Sequence, residues 1–127
     1  MKTNTILLLL CTLLISICLS CIDIFEKDLA GEKVELLAPA DSLITQEKTQ
    51  KFWWSYISGA LWYELQVVSP DFSNVSSLEL DTILENNNFQ FTLQLGVYHW
   101  RVKAINGSSS TDYSEHSLII IETPQKK

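Results

Sequence analysis

The residues best able to do chemistry in this 127-residue chain are three cysteines and two histidines. Cys11, Cys18 and Cys21 fall within the first twenty-one positions, and none occurs from Ile22 to Lys127. Beyond Cys21 there is thus no thiol for a disulfide, a metal or nucleophilic catalysis. His99 and His116 lie on separate predicted strands, at polar positions of the alternation, with no third ligand in view. They are expected to be surface residues, and no metal is expected. The acids are scattered. Gly-x-Ser-x-Gly and His-Glu-x-x-His are absent, and four glycines leave no loop to cradle a phosphate. The expectation is no catalytic residue, no cofactor and no enzyme. Asp41-Ser42-Leu43 and Asp81-Thr82-Ile83, and Asn74-Val75-Ser76 and Asn106-Gly107-Ser108, match short glycosylation patterns, but ordinary turn residues account for them more simply.

The cysteines owe their position to a leader. Lys2 is the only charge before Asp23, and Ile6 to Leu19 is an apolar run broken only by Thr12 and Ser16. It falls short of the ~20 residues needed to span a bilayer as a helix. A basic start, an apolar stretch and a small residue at its end predict a signal peptide over residues 1–20. Leu19-Ser20-Cys21 resembles the lipobox of bacterial lipoproteins. That resemblance implies a diacylglyceryl group on the Cys21 thiol and cleavage that makes Cys21 the first mature residue. Cys18 departs from the aliphatic residue usual at its position. Residues 21–33 then read as an acylated cysteine and a short charged tether. Its Asp23, Glu26 and Asp28 resemble the acidic signals that send some Gram-negative lipoproteins to the outer face. The expected location is the cell envelope, with the membrane as partner through the lipid.

The rest of the chain is globular in composition, 46% hydrophobic and 19% charged. Disordered and low-complexity classes are excluded. Nine basic against fifteen acidic residues argue against nucleic acid as a partner.

Beyond the tether no apolar stripe has helical spacing, and alternation dominates. Strands are predicted at Val34–Leu37, Phe52–Ile57, Trp62–Val68, Ser77–Asp81 (a short edge), Phe89–Leu93, Tyr98–Ala104 and Tyr113–Ile121. Asn86–Asn88 and Asn106–Ser110 read as turns, the second flexible. Seven short strands at close spacing predict an all-β antiparallel sandwich over residues 34–123, with a tail at 124–127.

Two motifs sharpen this. Trp54-x-x-Ile57-x-Gly59-Ala60-x-x-Tyr63-x-Leu65-Gln66-Val67 resembles the second and third strands of a fibronectin type III domain. Leu93-x-x-Gly96-x-Tyr98-x-Trp100-Arg101-Val102-x-Ala104 resembles its corner and sixth strand. The resemblance implies a fibronectin type III or immunoglobulin-like sandwich and a tyrosine corner at Tyr98, with Gly96 giving backbone freedom beside it. Alternation independently places Tyr98, Trp100, Val102 and Ala104 inward with Tyr63, Leu65 and Val67, and Trp54 between the sheets.

What remains for function is a surface. Trp62 faces outward on the third predicted strand, and Arg101 and Lys103 face outward on the sixth. Trp53, out of phase with Trp54, is expected on the other sheet. The candidate binding surface is Trp62 as anchor with Arg101 and Lys103 as rim, and Trp53 as the alternative. Glu64 opposite Arg101 would instead be a simple cross-strand ion pair. The expected function is a non-enzymatic binding or assembly module of the envelope, a protein–protein adaptor, with a glycan-binding surface protein as the alternative and a small hydrolase as a remoter one.

Overall fold

The computed structural model describes residues 2–17 and 25–127. The first stretch is one helix, α1 (Lys2–Ile17). No helix among the described residues is long and apolar enough to cross a membrane. Cys18, Ser20, Cys21 and Asp23, on which the lipidation and export readings depend, lie outside the described residues.

The rest is built of strands. β1 (Leu36–Ala38), β3 (Thr49–Trp54) and β6 (Asn88–Thr92) form one sheet in the order β1-β3-β6. β2 (Leu43–Thr45), β8 (Ser114–Ile120), β7 (Gly96–Ile105), β4 (Trp62–Pro70) and β5 (Val75–Leu84) form the other, in the order β2-β8-β7-β4-β5. Every pairing is antiparallel except β2 with β8. Among the described residues, eight strands thus replace the seven expected. β2 is three residues long, too short for alternation to show.

The inner faces follow from the period of two. Along β7, Tyr98, Trp100, Val102 and Ala104 are buried, and along β4 so are Tyr63, Leu65 and Val67. Phe52 and Trp54 project from β3 into the same core. The Phe52 and Trp100 rings meet edge-on at 5.0 Å, and the Trp54 and Tyr63 rings are 5.7 Å apart. Such pairs add to the burial of large apolar area that drives folding. At the corner the Tyr98 hydroxyl donates to the Gln94 carbonyl at 2.9 Å. A Cβ at Gly96 would lie 3.2 Å from that hydroxyl oxygen. The glycine therefore makes room for the tyrosine ring as well as loosening the backbone.

Several boundaries move. β3 begins at Thr49 and ends at Trp54, so Ser55–Ile57 is loop. Ile57 nevertheless stays buried, and its N–H donates to the Tyr63 hydroxyl at 2.9 Å. The edge strand runs ten residues rather than five. Asn88 belongs to β6.

Two segments expected to be loose are tied down. Asn106 is buried, and its amide donates to the carbonyls of Lys27 at 2.7 Å and Gly59 at 3.2 Å. Its side-chain oxygen accepts from the N–H groups of Ser108 and Ser109. The turn is therefore a fastened corner. The described part of the tether docks there as well. Glu26 accepts the Gly107 N–H at 2.7 Å, and the Leu29 N–H donates to the Ser109 hydroxyl at 2.9 Å. Leu29 itself is fully buried in the core. The charged tether expected over residues 21–33 is thus corrected for its described part, which docks on the sandwich: a single leucine with a pocket to fill does not announce itself by periodicity. Gly59, at φ +89°, is where the two segments meet, since a Cβ there would lie 2.9 Å from Lys27 Cβ.

Candidate functional site

β4 and β7 bring the predicted surface residues into one row. Trp62 stands opposite Ile105, Glu64 opposite Lys103, Gln66 opposite Arg101 and Val68 opposite His99. Residues directly opposite share a face, so Trp62, Arg101 and Lys103 do lie on the outer face of the five-stranded sheet. The pairing of Glu64 with Arg101 is corrected. The register sets Glu64 against Lys103, with Nζ to Oε2 at 3.2 Å, and Arg101 Nε donates to Gln66 Oε1 at 2.9 Å.

The two cations differ in freedom from what a binding rim needs. The Arg101 guanidinium carbon lies 3.9 Å from the centre of the Phe72 ring and 4.0 Å from that of Tyr113. Phe72 comes from the turn between β4 and β5, and Tyr113 from the residue just before β8. The guanidinium is thus clasped by cation–π contacts on two sides. Lys103 Nζ is 4.8 Å from the Tyr113 ring centre. The Tyr113 hydroxyl donates to Glu64 Oε2 at 2.7 Å, so one carboxylate gathers a lysine and a phenol. Burial by itself pulls the Lys103 ammonium down, but the Glu64 hydrogen bond and the Tyr113 and Glu64 charges outweigh it and the net shift is upward. Burial pushes the Tyr113 phenol up, and its bond to Glu64 adds to this. At neutral pH the Lys103 ammonium therefore stays charged and the Tyr113 phenol stays neutral.

Trp62 is 38% exposed at the end of this row, and Ile83, opposite Glu64 on β5, is 55% exposed beside it. Trp53 is 46% exposed on the outer face of the other sheet, as its phase required. The sequence reading missed Phe72 and Tyr113. The available signal for the first was an aromatic residue set in a polar turn, Pro70-Asp71-Phe72-Ser73.

The histidines come closer than expected. His99, Glu115, His116 and Asp41 border one shallow depression with Ser42 and Ser117. His99 Nδ1 lies 2.6 Å from Glu115 Oε1. His116 is not an outward residue: it stands opposite Trp100, and the two rings meet edge-on at 5.7 Å. Its Nδ1 lies 3.2 Å from the Pro39 carbonyl. Asp41 accepts the Ser117 N–H at 2.9 Å, and that bond chiefly holds its carboxyl below the usual range. Among the described residues no three histidine, cysteine or acidic side chains are grouped so as to hold a metal ion.

No family model matches the chain, and no curated protein matches it. Solved structures similar to it include one described as "Structure of FN3tt mut", 22% identical with a TM-score of 0.45, over 66% of this chain and 83% of that one. Another is the solution structure of the fibronectin type-III domain of human fibronectin type III domain containing protein 3. It is 14% identical with a TM-score of 0.44, over 77% of this chain and 94% of that one. The pairing of the strands and the tyrosine corner carry the assignment themselves: the chain holds a fibronectin type III or immunoglobulin-like β-sandwich.

Proposed function

We propose that this chain is a lipoprotein of the cell envelope, anchored through Cys21, whose sandwich is a non-enzymatic module that binds another envelope protein. The observation that carries the binding role is the contrast on one sheet face. Arg101, Lys103, Glu64 and Tyr113 satisfy one another, while Trp62 and Ile83 beside them remain open. A rigid polar floor next to an exposed tryptophan suits a contact whose affinity comes from a buried aromatic anchor. Arg101 and Lys103 then shape the surface and fix its charge. The Leu19-Ser20-Cys21 sequence supports the anchor, and the acids that follow support the outer membrane as its location.

The test is a pull-down from detergent-solubilised envelopes with the acylated protein, beside a glycan array. A specific protein partner is expected, held at least about 2 kcal/mol less tightly by Trp62→Ala, the threshold for a hot spot. A glycan ligand with no protein partner would replace the adaptor reading. Unchanged affinity in Trp62→Ala would move the site to Trp53. Turnover by the purified protein on a hydrolase substrate panel would refute the non-enzymatic reading. Equal palmitate labelling of wild type and Cys21→Ser would refute the anchor.

A further inference from the structure

Phe25 and Tyr56 are the most exposed large hydrophobic side chains in residues 25–127, at 90% and 72%. Both stand at the end of the sandwich where the chain joins it. The start of β1 pairs with the end of β3, Leu36 opposite Trp54, so the loop carrying Tyr56 leaves the sheet where the N-terminal segment arrives. Lys27 and Gly59 offer their carbonyls to the same Asn106 amide, which fixes that segment against the same loop. Leu61, 51% exposed, closes the loop.

We infer that this end of the domain rests on the bilayer surface, with Phe25, Tyr56 and Leu61 entering its interfacial layer. The inference depends on the lipid anchor at Cys21 proposed above. Four residues lie between Cys21 and Glu26, and the five steps of chain that join them reach at most about 18 Å. The leash does not end in a free hinge. Glu26 is bonded to the Gly107 N–H, the Lys27 carbonyl to Asn106, and Leu29 is sunk in the core. A short leash and a fastened exit present one end of the sandwich to the membrane. That end carries the aromatic and aliphatic groups that favour the boundary between headgroups and acyl chains.

Charge selects the kind of surface. Lys27 is paired with Glu32 at 2.8 Å, and Glu26 and Asp28 leave this end acidic. Attraction to anionic lipid is therefore not the source of contact, and a zwitterionic surface is the one that fits. The same placement sets Trp62, next to Leu61, just above the bilayer, within reach of another membrane-anchored protein.

The experiment uses the full chain expressed in a Gram-negative host, extracted and reconstituted in phosphatidylcholine vesicles. Cleavage before Cys21 removes Cys11 and Cys18, and acylation consumes the Cys21 thiol, so Tyr56→Cys or Leu95→Cys provides a single site for a nitroxide label. Leu95 is 48% exposed beside Gly96, which pairs with Ile120 at the far end of the sheet. Collisions with dissolved oxygen and with a water-soluble nickel chelate are measured for each. The label at position 56 should be shielded severalfold from nickel relative to that at 95, and favoured by oxygen. Equal nickel access at the two positions, in protein whose Cys21 carries palmitate, overturns the membrane-resting face and leaves the anchor standing. Failure of palmitate to enter at Cys21 overturns both. Tyr56 and Leu95 are surface residues, and unchanged melting temperatures confirm that both labelled proteins are folded.

Discussion

The guanidinium of Arg101 lies 4.0 Å from the ring centre of Tyr113, a residue twelve positions further along the chain that enters from beyond the opposite turn. The contact ties the middle of β7 to the start of β8, and Phe72 closes it from the other side. It turns an outward arginine into part of the framework of its own sheet.

That contact predicts a stability effect rather than a binding effect. Arg101→Ala should cost about 1–2 kcal/mol in urea denaturation, since partly desolvated cation–π contacts run from about 0.5 to about 2. Arg101→Lys should recover only part of this, because an ammonium cannot stack flat between two rings. Loss of partner affinity with unchanged stability in Arg101→Ala would return the residue to the binding rim.

Trp100 is fully buried against Phe52 and His116. Trp100→Ala should cost about 3–5 kcal/mol. Trp100→Phe should cost less, since the indole Nε1 is buried without a hydrogen-bond partner among the described residues. Glu79→Ala, on the exposed edge strand β5, should cost well under about 1 kcal/mol. Equal effects of Trp100→Ala and Glu79→Ala by chemical denaturation would show the inside and outside faces to be misassigned.

Leu29 tests the reach of the domain toward its N-terminus. It occupies the core, so Leu29→Ala should destabilise by about 2–5 kcal/mol. A tether residue would give almost nothing. Hydrogen exchange should show the Leu29 amide, bonded to Ser109, protected with the sandwich.

Tyr98→Phe removes the corner bond to the Gln94 carbonyl and leaves the ring in place. The expected loss is about 0.5–1.5 kcal/mol, the net worth of such a bond. Burial, with the Glu79 charge adding to it, raises the Tyr98 phenol, so spectrophotometric titration should find it ionising above the ordinary tyrosine range. Ionisation within that range would mean the corner is open to water.

Asp41 carries a pH signature. The Ser117 N–H favours its charged form in the folded state, which depresses its pKa. Its contribution is therefore complete above the unfolded value, about 3.9, and is lost as pH falls through the lower folded value. Asp41→Asn should be less stable than wild type at neutral pH, and the gap should close in acid. A gap that persists unchanged below both values would assign the loss to something other than the charge.

Alternation along Tyr98–Ala104 and Tyr63–Val67 determined the two inner faces, and those residues are buried as their phase requires. The phase of Trp53 against Trp54 likewise determined which ring faces water. These are local properties: a strand has a period of two wherever it lies, and apolar residues on one side of it must find a core. The tyrosine corner was legible for a similar reason, because Gly96 and Tyr98 meet within one turn of chain. Register was not legible. Nothing local to Glu64 says whether Arg101 or Lys103 will face it, since a shift of two residues preserves every inward and outward assignment. Nor could the spacing show that Phe72 and Tyr113 would clasp Arg101, or that Leu29, Asn106 and Gly59 would close one corner. Those contacts join segments far apart in sequence, and only the packing of the two sheets brings them within bonding distance.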